Sequence, residues 1–441
     1  MKTQTVSASP LAILGGPKAV PVDHRHLIFP WPIVTAEDEQ AVVQVMRAGA
    51  MSGTNITREF EREWSDYLGV AHALGHPSGT SSMLTCMFAC GVGRGDEVIT
   101  PSLTYWATSL QCFSLGATPV FADIEPDTLC IDPADIEHRI TPRTKAIIIV
   151  HYCGHPVDMD PVMAIARKHN LKVIEDVSHA HGGRYKGRML GTIGDCSGFS
   201  MMTFKSFAIG EAGMFCTNDR VLYERAMAFG HYERCLTELA EPSLKAWAGP
   251  AGFSSGLPMG GYKHRMNQTC AAMGLVQLKH YEERMKGIQD GMNRFWDFLE
   301  GCPGVRPHRP NRARAQQGTT MGGWYNPLGH YVPEELGGLP VERFIEAVNA
   351  EGGRIGRGCN FPLHLHPLLN EADIYGDGKP TRIAFTERDV RQGAGSLPVT
   401  ERLASRCFGV PWFKHDVPEE IEAYAGAYRK VATNFGDLLK S

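Results

Sequence analysis

Residues 144–183 read TKAIIIVHYCGHPVDMDPVMAIARKHNLKVIEDVSHAHGG. The run AIIIVHYCG (146–154) is apolar on both faces, and DPVMAIARKHN (160–170) carries apolar residues at helical spacing. LKVIEDV (171–177) is a second run of the doubly apolar kind. Two such strands joined by a helix predict a parallel pair, because a parallel sheet is covered on both faces and its strands need not alternate. Ligands of these sheets bind beyond the carboxyl ends of the strands. The residues after Val177 are therefore the first place to look for chemistry.

The same alternation extends upstream. AHALGHPSG (71–79) leads into the helical TSSMLTCMFACGVG (80–93), and DEVITPS (96–102) into a helical YWATSLQCFSLG (105–116). The strand TPVFADI (118–124) precedes the helix PADIEHRI (133–140). Ahead of the sheet, EDEQAVVQVMRAG (37–49) and REFEREWSDYLGV (58–70) read as two helices separated by the turn MSGTN (51–55). Downstream, residues 267–301 form one long helical stretch. From about Asn293 the chain turns rich in Pro, Gly and Arg, with PHRPNRARAQQGTT at 307–320, and it finishes on the helix EEIEAYAGAYRKVATNF (419–435). The expected organisation is an N-terminal arm (1–29), a large α/β domain with a mostly parallel sheet (30–292), and a smaller α+β domain (293–441).

Composition excludes several classes of function. In 441 residues the hydrophobic share is 43%, the charged share 21% and the formal charge −4, so no global field recruits nucleic acid or an acidic membrane. A bound phosphate must be held locally. The N-terminus has one Lys and a short apolar stretch broken by Pro10 and Gly15, which makes a poor leader, and no window reaches the length of a membrane span. The 12 cysteines include no CxxC pair, and most fall in apolar runs (Cys112, Cys130, Cys196, Cys216, Cys270). They read as reduced core residues of a cytoplasmic protein, without metal-ligand spacing.

Three loops carry candidate chemistry. His76-Pro77-Ser78-Gly79-Thr80 places glycine and hydroxyls at a helix start, where free N–H groups and the helix dipole attract an anion. Ser78 or Thr80 acting simply as an N-cap is the alternative. Glu175-Asp176 ends a buried strand, where an acid needs a partner; a pyridinium nitrogen is one, and a turn capped by the acid is the other reading. His179 and His181 follow, but no third histidine in register completes a metal site. The last loop is Gly198-Phe199-Ser200-Met201-Met202-Thr203-Phe204-Lys205-Ser206, then Ile209-Gly210-Glu211-Ala212-Gly213. A lone lysine among Phe, Met and Thr either snorkels to water or is a desolvated amine nucleophile.

Taken together, residues 173–219 (VIEDVSHAHGGRYKGRMLGTIGDCSGFSMMTFKSFAIGEAGMFCTND) resemble the core of the DegT/DnrJ/EryC1/StrS sugar aminotransferases. The likeness runs over most of the chain, from FEREWSDYLGV to AYRKVATN. It implies a fold-type I enzyme of pyridoxal 5'-phosphate. By position it implies that Lys205 holds the cofactor as a Schiff base and shuttles the proton, and that Asp176 pairs with the ring nitrogen. Gly79, Thr80 and Ser200 would hold the phosphate, and Tyr105 would stack on the ring. His179 stands where the family usually has Gln. In GYKHRM, Lys263 replaces a phosphate-reaching Asn, and Arg265 matches an arginine that anchors the donor carboxylate. Both would face the cofactor of a second subunit, so the resemblance implies a homodimer with shared sites. GEGG is here GEAG, with Ala212 for glycine.

Relatives that act as dehydratases carry histidine at the lysine position, so Lys205 points to transamination. The expected reaction moves an amino group from L-glutamate or L-glutamine to a ketone. LAILGGPKAVP and PLHLHPLL resemble the branch acting on keto-cyclitols such as scyllo-inosose. A nucleotide-linked keto-sugar is the alternative acceptor, with RPHRPNRARAQQ (306–317) as a source of basic residues for its diphosphate. A cofactor-binding regulator without turnover is a third reading, and no nucleic-acid-binding motif supports it.

Overall fold

The computed structural model describes residues 9–21, 25–248 and 256–440. Seven strands form the main sheet: β1 (His72–His76), β2 (Glu97–Pro101), β3 (Thr118–Ala122), β4 (Thr144–Val150), β5 (Lys172–Asp176), β6 (Cys196–Ser200) and β7 (Gly213–Thr217). Their order is β1-β7-β6-β5-β4-β2-β3. The pairs β2–β3, β2–β4, β4–β5 and β5–β6 are parallel, while β7 runs antiparallel to β1 and β6. The mostly parallel sheet stands, with one reversed strand that hydrophobic patterning did not announce. β4 and β5 are buried almost throughout, as two-sided coverage requires.

The helices α1 (Ala36–Arg47) and α2 (Asn55–Leu68) precede the sheet as expected. α3 (Gly79–Ala89) follows β1. The segment after β2 is not an α-helix: Trp106–Thr108 and Leu110–Leu115 are short 3-10 turns, interrupted at Ser109. Nor is 267–301 one helix. It breaks at His280 into α4 (Gln268–Lys279), which packs on α1 and α2, and α5 (Tyr281–Phe298), which packs on α6 (Pro418–Thr433). The expected boundary at 292/293 falls inside α5. Its Ile288, Met292, Phe295 and Trp296 share a second core with Tyr424, Tyr428 and Val431 of α6. Leu11, Val20 and Ile28 of the N-terminal segment enter that same core.

Four short antiparallel strands build the smaller sheet: β8 (Val305–Pro307), β9 (Leu328–Tyr331), β10 (Gly356–Arg357) and β11 (Cys407–Gly409), in the order β8-β9-β11-β10. Between β10 and β11 a long segment returns to the main sheet and covers its β3 edge. There the Arg382 guanidinium lies 4.4 Å over the Phe121 ring, and Gln392 Nε2 donates to the Phe121 carbonyl at 2.8 Å. Covering an edge strand removes a template for aggregation. It also fixes the start of the segment: Leu363 N–H donates to the Ser102 carbonyl, and His364 Nδ1 pairs with Ser102 Oγ at 2.8 Å. Asn360, three residues earlier, is thereby brought to the carboxyl ends of the strands.

Candidate active site

The carboxyl ends of β1, β5 and β6 surround a cavity of about 390 Å³, within the range of small-molecule sites. Gly79, Thr80, Tyr105, Asp176, His179, Ser200 and Lys205 all line it. Four distant stretches of sequence thus converge on one space.

Glu175 and Asp176 end the same strand but face opposite ways, as successive strand residues must. Glu175 is structural. It accepts N–H bonds from Gly191, Ile193 and Gly194 at 2.6–2.9 Å and faces His151 Nε2 at 3.1 Å. Burial alone would raise its carboxyl, but His151 and these donors hold it below the usual value. Asp176 is 5% exposed and faces the cavity. One of its oxygens accepts from Thr108 Oγ1 at 2.7 Å and the other from Ser178 N–H at 3.0 Å. Each carboxylate oxygen keeps a further lone pair, so the group can accept one more donor in a fixed orientation.

Lys205 is buried, with 7% exposure, and its ammonium lies 3.7 Å over the Tyr325 ring. Burial drives its pKa from the ordinary 10.5 down to about 8, with Asp176 pulling the other way. The snorkelling reading fails on this burial. Near neutral pH the amine keeps an appreciable unprotonated fraction, which is what a nucleophile needs. Its carbonyl accepts from Trp31 Nε1 at 2.8 Å, which ties the N-terminal segment to the lysine loop.

At the opposite wall Ser78 is the N-cap of α3. Its Oγ accepts from Ser81 N–H, and Ser81 Oγ accepts from Ser78 N–H. The capping reading of Ser78 holds, and it leaves the N–H groups of Gly79 and Thr80 without an intrahelical acceptor. A Cβ on Gly79 would sit 2.5 Å from Ser200 Cβ, and one on Gly213 would sit 2.3 Å from the Ser78 carbonyl oxygen. Glycine at both positions lets the helix start, β6 and β7 approach closely. The Ser200 N–H donates to Ser178 Oγ at 3.1 Å, closing this corner.

His179 and His181 have different surroundings. His179 packs at a tilt against Tyr325 with centroids 4.7 Å apart, and its Nδ1 accepts from Cys153 N–H at 3.4 Å. Burial and Lys205 push its pKa well below the usual value, so the ring is neutral and its proton lies on Nε2. The ring's remaining N–H is then a donor at the wall of the cavity. His181 packs instead between Trp64 and Phe199, its pKa depressed by burial to about 3. Tyr105 is 50% exposed and stands beside Trp106 at the mouth.

Lys263 and Arg265 are not brought to this cavity. Lys263 is exposed and Arg265 half-buried, on the segment before α4, where His264 N–H donates to the Gly230 carbonyl. The basic stretch 306–317 is also elsewhere. It lines a separate cleft, and Arg306, Arg309 and Arg314 pair with Glu335, Asp297 and Asp158. Cavity residues that motif reading missed are Thr108, Tyr325, Asn326 and Asn360. Thr108 lay in the YWAT loop already singled out. Tyr325 sits in GGWYNP, where Trp324 and Asn326 take left-handed φ values of 52° and 48°.

The donor set suits pyridoxal phosphate: a desolvated amine, an oriented carboxylate, free N–H groups at a helix start and aromatic rings converge on one cavity. Comparison with known sequences bears on this directly. The model of the DegT/DnrJ/EryC1/StrS aminotransferase family matches residues 32–427. The chain belongs to that family. Its members depend on pyridoxal phosphate. The chain is similar to the spore coat polysaccharide biosynthesis protein SpsC of Bacillus subtilis, 33% identical over 407 residues that cover 91% of this chain and 97% of the relative. It is 31% identical over 426 residues to the L-glutamine:2-deoxy-scyllo-inosose aminotransferase of Streptoalloteichus tenebrarius, covering 93% and 96%. The solved structure of DesI in the presence of its TDP-sugar product has a TM-score of 0.76 and 27% identity, covering 98% of this chain and 99% of that one. This DegT-family enzyme is thus an aminotransferase of the sugar and aminocyclitol kind. Among the described residues no helix is long and apolar enough to cross a membrane.

Proposed function

We propose that the protein carries pyridoxal phosphate on Lys205 and transfers an amino group from L-glutamate or L-glutamine to a keto-cyclitol of the scyllo-inosose type or a keto-sugar. One observation carries the reading: a buried amine with a pKa near 8 shares a cavity with an oriented carboxylate and the open start of α3. When bound, the cofactor supplies an aldehyde for Schiff-base formation and a ring that withdraws electrons.

The chain's own residues divide the remaining work. Lys205 is the base that takes the donor's Cα proton and returns it on the other side of the exchange. Asp176, held by Thr108 and Ser178, keeps the ring nitrogen protonated. Gly79, Thr80 and Ser200 receive the phosphate, His179 donates to the ring oxygen, and Tyr105 packs on the ring face. Lys263 and Arg265 act in the neighbouring subunit of a homodimer, which agrees with their distance from the cavity of their own chain. The similarity to the deoxy-scyllo-inosose aminotransferase over nearly the whole chain supports the cyclitol acceptor. The nucleotide-linked alternative loses the basic stretch 306–317, whose ion pairs leave little charge for a diphosphate. A panel of keto-cyclitols and nucleotide keto-sugars, incubated with L-glutamine and scored for amine by mass spectrometry, decides between them. Amination of neither class would overturn the reading.

A further inference from the structure

A second cleft, of about 500 Å³, lies behind the active-site wall and is lined by Phe29, Arg354, Trp412 and Lys414 among others, with no carboxylate in the lining. Arg354 Cζ lies 4.6 Å over the Phe29 ring. Lys414 Nζ lies 4.6 Å over the Trp412 ring and donates to the Phe29 carbonyl at 3.2 Å. Neither cation has an acidic partner among the described residues. The acids nearest in sequence are engaged elsewhere. Glu351 accepts from the N–H groups of Ala12 and Ala19 and from the Lys430 ammonium, and Asp416 accepts from Arg294 Nε and Nη2.

Two like charges facing one cleft repel each other, and no acid among the described residues of its lining relieves them. Burial and Arg354 together depress Lys414 to about 8. The backbone is committed to the arrangement too. Arg354 holds a left-handed φ of 50°, unusual for a long side chain, and its carbonyl accepts from Tyr428 OH at 3.1 Å. The Asn349 side chain closes the turn by bonding both N–H and carbonyl of Ile355.

We infer that Arg354 and Lys414 hold a phosphate-type anion, either free or as the diphosphate of a nucleotide, with Trp412 and Phe29 as flat apolar flanks. Guanidinium and ammonium donors together satisfy the several oxygens of such a group. The site adjoins the transamination cavity. Trp412 meets Tyr325 edge-on at 6.0 Å, and Tyr325 carries the Lys205 ammonium on its face. Trp412 also touches Trp31, which donates to the Lys205 carbonyl. The inference does not depend on the acceptor assigned above.

The test is calorimetric titration of the cofactor-saturated protein at low salt, so that the open start of α3 is already filled. The probes are inorganic phosphate, pyrophosphate and thymidine diphosphate. Pyrophosphate should bind once per chain, and Arg354→Gln and Lys414→Met should each weaken it about tenfold. Arg354 is exposed, so its variant folds even where the lysine change disturbs the N-terminal segment. Thymidine diphosphate binding more tightly than pyrophosphate assigns the site to a nucleotide. Equal affinities assign it to free phosphate groups. Failure of all three probes to bind, or binding unmoved by both substitutions, overturns the inference. The glutamate half-reaction, followed in the same samples, reports the transamination reading separately.

Discussion

Burying the Lys205 ammonium costs stability that function alone recovers, and the cost is measurable. Consider Lys205→Met in the cofactor-free protein. Each decade of pKa is worth about 1.4 kcal/mol. A fall from 10.5 in the unfolded chain to about 8 in the fold therefore destabilises the charged form by about 3 kcal/mol. That pKa is already net of the Tyr325 face beneath the ammonium. A methionine of similar length fills the same space without charge, so the variant should be more stable at pH 7 by roughly 3 kcal/mol. The sign with pH follows from proton counting. Between about pH 8 and 10.5 the unfolded state binds more protons at this lysine than the folded state does, so the wild type gains stability as pH rises through that window. The gap over the variant should close by about pH 10.5. Urea unfolding of both proteins, free of cofactor and at one protein concentration, at pH 7 and pH 10 checks both statements. A variant no more stable than wild type at pH 7, or a gap that ignores pH, would refute the reasoning.

Asp176→Asn should leave the fold intact, since the amide oxygen can accept from Ser178 N–H while the NH2 donates to Thr108 Oγ1, yet slow the glutamate half-reaction by about two orders of magnitude or more in stopped-flow absorbance. Gly79→Ala forces a Cβ to 2.5 Å from Ser200 Cβ, so it should cost about 1–3 kcal/mol in unfolding and weaken cofactor retention measured by dialysis. Mixing inactive Lys205→Ala and Arg265→Ala chains should restore about one competent site per verified heterodimer, because one pocket then receives both wild-type residues. No recovered activity would show that Arg265 does not act across an interface.

The parallel part of the fold was legible because β4 and β5 are apolar on both faces and bracket an amphipathic helix. The direction of β7 was not legible, since a five-residue run such as GMFCT has no polarity that favours parallel over antiparallel pairing. Residues 105–116 misled for a related reason. Over segments of three and six residues a period of three cannot be told from one of 3.6. The break at His280 has neither Gly nor Pro to announce it; α4 lies on the first core, while α5 starts on it with Tyr281 and Met285 and passes to the second from Ile288. In the site, residues close to a glycine-rich turn or a strand end were readable: Gly79, Asp176, Lys205. Tyr325 and Asn360 reach the cavity from the far side of the chain, through a left-handed turn and through an edge-covering segment held at Ser102. Arg354 and Lys414 lie 60 residues apart, so a shared cleft between them depended on the fold.

The central claim is that Lys205 holds the cofactor. Borohydride added to the purified yellow protein should bleach its visible band and fix the cofactor to one peptide, the one containing Lys205, as read by mass spectrometry. A fixed cofactor on any other lysine, or a visible band that survives in Lys205→Ala and is reduced there, would contradict it.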